Sequence, residues 1–567
     1  MNTFKKLKAI TKENTFTVIE AGEGSEKLSA DLRYIFEERI SIGSVVSLGL
    51  SGAGTASSDV AVWSAEQGNS DASNGSAGIR RGSGPYICCT YDRRRAKKEL
   101  ADIGLIYKKD YYFAEDLFCL LDDMKECRIA FVTYDRSAKE FLKKTIFGYA
   151  AKHGKKLPDK YSSASVLYLI LGLPHILCQI LSKNNLYKDY DRICFLNATD
   201  AVRFKNDHPE DAHKAITLET LQAYTLAPLY MREVYFDRRQ NMCACVKPLK
   251  TLWVGRNGSA RLCDCPDFLD VSIGDIGVTN LTGTWESPVA RIIRLSVINN
   301  TYTFCSHSLC SSISKSAESN ELLERKKVHD YDRPYTINFA SDYSCNLHCP
   351  SCRRGIHAKN DADEDMVIDS CINDLANSGW LDKADTLLVG GGGEVFLSEH
   401  YKRVLYDTGI KRNKITIMTN ATLFTPMEWE KLEGKYEHIN FMVSVDAATK
   451  KTYEKVRCGG NFERLMENMD FLSDLRKKNK VDKVTVILIV QRANYKEIPD
   501  FIRWAKDKGF DNVNLSHIRN WGSFDDRDFS ENVSMFDKNG KIKPELAAVL
   551  KDPACCDEIV SMSWNPD

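Results

Sequence analysis

Six short apolar runs, at residues 335–340, 386–390, 414–420, 438–446, 483–490 and 512–516, are separated by charged stretches with helical spacing, such as 452–457 and 462–477. Val, Ile, Phe and Thr recur in the runs, as they do in strands, and the run at 386–390 reads as a buried parallel strand. Strands of that kind alternating with helices leave few folds open. They predict an α/β architecture around a parallel sheet, with loops collected at the carboxyl ends of the strands. Chemistry is expected at that edge. The residues that fall there are a cysteine-rich loop after the first run, a glycine-rich loop ending in Glu394 after the second, Asn420 after the third, and Ser444 and Asp446 after the fourth.

The cysteine-rich loop reads Cys345-Asn-Leu-His-Cys349-Pro-Ser-Cys352. Three thiolates at that spacing can hold three irons of a four-iron cluster and leave the fourth iron open to another ligand, whereas a closed structural zinc site asks for four protein ligands. Half of a zinc site, or a chance grouping among the chain's 19 cysteines, is the plainer alternative. The glycine-rich loop weighs against both. Leu387-Leu388-Val389 runs into four glycines and then Glu394. Glycines let a backbone approach a ligand closely, and a carboxylate accepts a charge-assisted hydrogen bond from a cationic amino group; a glycine turn alone has no need of the acid.

With both motifs in this order, the chain resembles the radical S-adenosylmethionine (radical SAM) enzymes over roughly residues 240–530. The resemblance implies an incomplete (β/α)6 barrel in which Cys345, Cys349 and Cys352 hold a 4Fe-4S cluster whose open iron is chelated by the methionine group of S-adenosylmethionine. Reduction would then release a 5′-deoxyadenosyl radical that takes hydrogen from an unactivated C–H bond. The resemblance also implies that Gly392, Gly393 and Glu394 receive the methionine end. It implies that Asn420, Ser444 and Asp446 line the cofactor, with Ser444 on a ribose hydroxyl, and that Arg457 pairs with the methionine carboxylate; a solvated helix face is the other reading of Arg457. Ser351 departs from the family, which often has an aromatic residue there. An electron donor such as flavodoxin or ferredoxin, and oxygen sensitivity, follow from the same resemblance.

A second cysteine group lies upstream and contains Cys245, Cys263, Cys305 and Cys310, with Cys243, Cys265 and His307 as spare ligands. Between Cys245 and Cys263 the pattern is strand, Asn257-Gly258 turn, strand, which predicts a β-hairpin with thiolates at its ends. Followed by Gly274 and a short helix near Gly283, it resembles the auxiliary domains called SPASM and twitch. That implies a second iron-sulfur cluster on Cys245, Cys263, Cys305 and Cys310. Four thiolates suit structural zinc equally well, and spacing does not separate the two. In the familiar enzymes this domain follows the barrel; here it precedes it.

Composition bounds the remainder. A chain of 567 residues is long enough for several domains. Its 78 basic side chains balance 78 acidic ones, so charge offers no case for nucleic acid or an anionic membrane. Abundant cysteine without a recognisable signal peptide points to a reducing, cytoplasmic setting. The most apolar stretch, 166–181, is interrupted by Pro174, His175 and Gln179, falls short of the ~20 residues of a membrane span, and reads as a buried helical segment. Residues 15–38 run strand, Gly22 and Gly24, helix, the opening of a Rossmann-like unit without its third glycine; a strand at 86–91 and a helix at 95–104 follow. Residues 51–84, dense in Ser, Gly and Ala, read as poorly ordered.

The expected organisation is a Rossmann-like α/β domain at 1–135, a helical connector at 136–235, the cysteine-rich domain at 236–325 and the barrel at 326–567, whose tail from residue 554 is too short for another auxiliary domain. Auxiliary clusters in the family often accompany peptide or protein modification, so a peptide or protein is the first expected substrate. A carbohydrate or nucleotide-sugar comes second. A zinc-stabilised scaffold without catalysis, with zinc in both cysteine groups, represents a different class of function.

Overall fold

A computed structural model describes residues 7–11, 15–21, 24–36, 41–48, 60–64, 85–121 except 103, 129–133, 166–170 and 191–564, the last without 196, 240, 242–244, 266–267, 280, 308–309, 315–332, 353–358, 408–411 and 538–539. Among the described residues, the first of three sheets contains β1 (Thr15–Ala21), β2 (Ser41–Leu48), β3 (Val60–Ser64), β4 (Tyr86–Cys89) and β5 (Tyr111–Phe113) in the order β3-β2-β1-β4-β5. All its pairs are parallel except the edge strand β3. Helix α1 (Ser25–Phe36) follows β1 and buries Leu28, Leu32, Ile35 and Phe36, an i, i+4, i+7, i+8 stripe; α2 (Arg93–Asp102) follows β4. The strand and helix of the expected opening are therefore present with Gly24 between them, while Gly22 lies outside the described residues. Apart from β3, residues 51–84 lie outside the described residues.

The expected helical connector is instead a second parallel sheet. Strands β6 (Ile129–Thr133), β7 (Val166–Ile170), β8 (Arg192–Phe195) and β9 (Ala215–Thr217) take the order β7-β6-β8-β9, with every pair parallel. Helix α3 (Ala198–Asp207) joins β8 to β9, and α4 (Leu218–Phe236) follows. Val166-Leu-Tyr-Leu-Ile170, expected to be helical, is a strand; the rest of that apolar stretch, 171–181, is outside the described residues. Five apolar residues carry too little periodicity to separate helix from strand, and β8 and β9 are shorter still; parallel partners settle the matter.

The third sheet holds ten strands among the described residues. It begins with β10 (Thr251–Val254), β11 (Ser259–Arg261) and β12 (Gly274–Asp275), followed after helix α5 (Pro288–Ile298) by β13 (Thr336–Phe339) and β14 (Thr386–Gly390). It continues with β15 (Arg412–Thr419), β16 (Tyr436–Ser444), β17 (Lys483–Val490), β18 (Asn512–His517) and β19 (Val560–Met562). From β13 to β19 the strands lie side by side in chain order and parallel. The first six are the six apolar runs; the seventh comes from the tail that the sequence left without a role. The predicted hairpin exists, β10 pairing antiparallel with β11 through Asn257 and Gly258, both at positive φ. Because β10 also pairs in parallel with β13, the hairpin extends the large sheet, and the expected boundary at 325/326 runs between strands that share it.

Helices α6 (Ala362–Asn377), α7 (Glu399–Tyr406), α8 (Pro426–Leu432), α9 (Lys450–Val456), α10 (Phe462–Lys477) and α11 (Ile498–Asp507) lie between successive strands from β13 to β18. One sheet face meets them. There Val484, Val486, Leu488 and Val490 join one core with Leu465, Met469 and Leu472 of α10, all fully buried, each contributing about 1.5–3 kcal/mol. The opposite face alternates with it: Thr416, Asn440, Ser444, Thr485, Asn514 and Ser516 lie there among Met418, Met442, Ile487 and Ile489, with Lys414, His438 and Lys483 at the exposed amino-terminal ends. Among the described residues, no helix is long and apolar enough to cross a membrane.

Candidate active site

The cysteine-rich loop leaves the end of β13 and is tied down from several directions. Asp342, almost fully buried, accepts hydrogen bonds from the Ser344 N–H (2.7 Å) and hydroxyl (2.7 Å) and from the Ser398 hydroxyl, and sits 3.0 Å from Nδ1 of His400. Burial alone would raise its pKa, but these partners pull it down to about 2. His400 is shifted upward: burial opposes its charge, and Asp342, Asp369 and Asp365 outweigh that. Tyr401 on α7 donates to the Asp342 carbonyl at 2.8 Å. Farther along, Asn346 donates to Thr422 (2.9 Å) and accepts from Asn420 (3.0 Å), the His348 N–H meets the Cys458 carbonyl (3.0 Å), and the Ser523 hydroxyl donates to the Cys352 carbonyl. Groups following β14, β15, β16 and β18 thus hold one loop.

The glycine loop after β14 lies directly beneath it. A Cβ on Gly393 would fall 2.1 Å from the Ser344 carbonyl oxygen, and one on Gly392 would fall 2.6 Å from that of Ala340, so only glycine lets the two loops touch. The Glu394 N–H donates to Ser344 O at 2.8 Å. Its carboxylate is buried and accepts from the Thr419 hydroxyl (2.5 Å), the Asn420 N–H (2.7 Å) and the Phe396 N–H (3.1 Å). Burial raises its pKa; those bonds and the nearby Arg457 counter the rise. Glu394 therefore fixes the end of β15, including the backbone of Asn420, whose side chain reaches Cys345 Sγ at 3.9 Å.

Arg457 is neither solvated nor isolated. It caps α9, lies 2.8 Å from Asp446 and points Nη1 at Cys349 Sγ, 3.8 Å away, which removes the solvated-face reading. Asp446 spends its other oxygen on the Ile489 N–H (2.7 Å), so its carboxylate positions Arg457 and the end of β17. Ser444 ends β16 on the polar face, in register with Ile487.

Cys345 is pushed up to about 12 by burial, with the Leu347 N–H, 3.4 Å from its sulfur, lowering it and Glu394 and the other two thiols raising it. Burial also raises Cys349, against Arg457. The three thiols share one electrostatic neighbourhood into which an amide N–H, an amide side chain and a guanidinium donate. That donor set fits thiolates holding a cationic cluster.

The second cysteine group is held differently. Cys245 and Cys305 pack around Tyr302, whose hydroxyl donates to the Cys245 carbonyl at 2.9 Å. Cys263, raised to about 12 by burial, lies within reach of Cys245 and of Lys247, which pairs with Asp264. Cys310 donates its N–H to Ser306 O (3.0 Å), and His307 Nε2 is 3.2 Å from Tyr302 O; Cys243 is outside the described residues. Among the described residues, no three Cys, His, Asp or Glu side chains already close around a single metal position in either group. Asp342, His400, Asn346, Thr422, Ser523 and Tyr453 escaped sequence reasoning. Asn346 lies inside the quoted cysteine motif and Tyr453 within 452–457, but nothing local reveals the distant partners of Asn346 or the setting of Tyr453.

Residues 343–505 match the family model described as the radical SAM superfamily. A curated protein of Archaeoglobus fulgidus, described as uncharacterized, is 23% identical over 167 residues, covering 29% of this chain and 37% of the relative. The chain thus spans little more than a third of that relative. Among solved structures, Streptococcus suis SuiB overlaps 44% of this chain and 56% of its own at 15% identity and a TM-score of 0.28. SuiB bound to precursor peptide SuiA overlaps 51% and 66% at 12% identity and 0.29. A tagged form of anSMEcpe with bound AdoMet overlaps 33% and 51% at 18% identity and 0.24.

Proposed function

Residues 343–505 are a radical SAM domain, and on that premise we propose that the chain is an S-adenosylmethionine-dependent iron-sulfur enzyme that modifies a peptide or protein. When bound, a 4Fe-4S cluster and S-adenosylmethionine supply one-electron cleavage of the sulfonium to a 5′-deoxyadenosyl radical able to abstract hydrogen. Cys345, Cys349 and Cys352 would hold the cluster, and a low-potential protein of the flavodoxin or ferredoxin class would deliver the electron. The convergence of Cys345 and Cys349 with Glu394, Asn420 and Arg457, brought from the ends of four neighbouring strands, carries this reading.

Glu394, with three hydrogen bonds already accepted, keeps one lone-pair direction for a cationic amino group and holds Asn420 in place. Gly392 and Gly393 keep side chains out of the contact between the loops. Ser444 offers a hydroxyl to a ribose, and Arg457 retains an unused N–H for a carboxylate. The consecutive parallel order of β13–β18 supports the incomplete barrel. The neutral amides and hydroxyls on the inner face supply donors and acceptors without charge, the requirement of a peptide backbone. Cys245, Cys263, Cys305 and Cys310 serve as the auxiliary site, for an iron-sulfur cluster or zinc.

Anaerobically reconstituted, dithionite-reduced protein should release 5′-deoxyadenosine from S-adenosylmethionine, and Cys349→Ala should release none. Release that persists in the variant, or none from wild-type protein carrying its iron, contradicts the proposal.

A further inference from the structure

Arg457 has more hydrogen-bonding capacity than its visible partners use. Nη2 pairs with Asp446 and Nη1 points at Cys349 Sγ, while Nε is buried with no partner among the described residues. Tyr453, one turn earlier on α9 and fully buried, likewise has a hydroxyl without a partner among the described residues. It lies within electrostatic reach of Arg457, Cys349, Asp446 and Glu394. A buried donor left unmade costs about 1–3 kcal/mol; with Arg457 Nε given to a carboxylate, the Tyr453 hydroxyl beside the Cys349 thiol still calls for an acceptor. Gly460 keeps the space open: a Cβ there would stand 2.8 Å from the Tyr453 hydroxyl.

The carboxylate behind Arg457 is rigid. Asp446 holds a left-handed backbone conformation, φ +67°, which disfavours a non-glycine residue. The Ile489 N–H to its side chain (2.7 Å) and Asn494 to its carbonyl (2.8 Å) keep it there. Asp446 can therefore hold the guanidinium against Cys349 whether or not a cofactor carboxylate is present.

We propose that Asp446 fixes Arg457 as a cationic donor at the Cys349 sulfur and that Arg457, with the Tyr453 hydroxyl, raises the reduction potential of the cluster bound there. The inference rests on the radical SAM reading above. Reduction transfers one electron from a low-potential donor to the cluster, takes up no proton and leaves the cluster one charge more negative. A fixed positive charge and hydrogen bonds to sulfur favour that state. Arg457 and Tyr453 are positioning and tuning residues in this role, separate from any contact with S-adenosylmethionine.

The test is a potentiometric titration, without S-adenosylmethionine, of the paramagnetic signal that Cys349→Ala abolishes. Wild type is compared with Arg457→Gln combined with Asp446→Asn, with Arg457→Lys and with Tyr453→Phe; the paired change avoids stranding a buried carboxylate. At fixed ambient potential, the oxidised-to-reduced ratio should rise about tenfold in the paired variant, about 59 mV for one electron. It should rise about threefold in Tyr453→Phe and stay within about twofold of wild type in Arg457→Lys. Equal potentials in all four proteins at equal iron content overturn this inference and leave the proposed function standing. A wild type with no reducible cluster overturns both.

Discussion

The two cysteine groups differ in what holds them. Around Cys345–Cys352 the loop is fastened by side chains that follow β14, β15, β16 and β18, and donors already face two of its sulfurs. Around Cys245, Cys263, Cys305 and Cys310 the ties are apolar packing on Tyr302, whose hydroxyl reaches the Cys245 carbonyl, and the Lys247–Asp264 pair, whose carboxylate also accepts from Asn338 of β13. A site assembled from many distant elements is geometrically preset, the condition for positioning a reactive cofactor. In the second group these ties reach a carbonyl and a neighbouring carboxylate, and a bound metal would draw the thiolates together.

The largest effects should separate the groups. Cys349→Ala should abolish 5′-deoxyadenosine release, whereas Cys263→Ala should lower bound metal per chain and leave release within about tenfold of wild type. Equal loss in both, measured by product chromatography beside metal analysis, would erase the distinction. Next comes Glu394→Gln. Whichever way the new amide points, it sets an N–H₂ against donors from Thr419, Phe396 or Asn420; a buried mismatch of about 1–3 kcal/mol should weaken S-adenosylmethionine binding roughly 5- to 150-fold. Calorimetry showing unchanged affinity would contradict Glu394's place at the centre of the preset site.

Much of this site was legible in the sequence because its parts are local. Cys345-Asn-Leu-His-Cys349-Pro-Ser-Cys352 and Gly392-Gly393-Glu394 are short motifs at strand ends, and β13 to β18 are apolar runs long enough to recognise. What escaped depends on partners far along the chain. Asp342 meets Ser398 and His400 more than fifty residues later, and Arg457 meets Cys349 over one hundred residues away. β7 failed for another reason: its five apolar residues have the same pattern in a buried helix as in a strand. β19, three residues in the tail, is strand-like only because β18 offers an open edge.

Smaller effects probe how the preset loop is held. Asp342 has a depressed pKa, so its bonds stabilise above the ordinary carboxylate value near 3.9 and are lost as pH falls toward 2; His400 is raised, so its share is full below about 6.5 and is lost as pH rises through its folded value. His400→Asn should therefore cost about 1.5–3 kcal/mol near pH 5 and progressively less at higher pH. A pH-independent gap in urea midpoints between the two proteins would contradict this. Lys247→Met, at an exposed pair beside the second group, should change stability by less than about 1 kcal/mol and leave cleavage untouched.

The most direct measurement of the account is the electron paramagnetic resonance spectrum of reduced Cys263→Ala protein before and after adding S-adenosylmethionine. A cluster on Cys345, Cys349 and Cys352 with one iron open to the cofactor predicts a changed signal on addition. A spectrum that stays the same at saturating S-adenosylmethionine would contradict the open-iron site and the chemistry built on it.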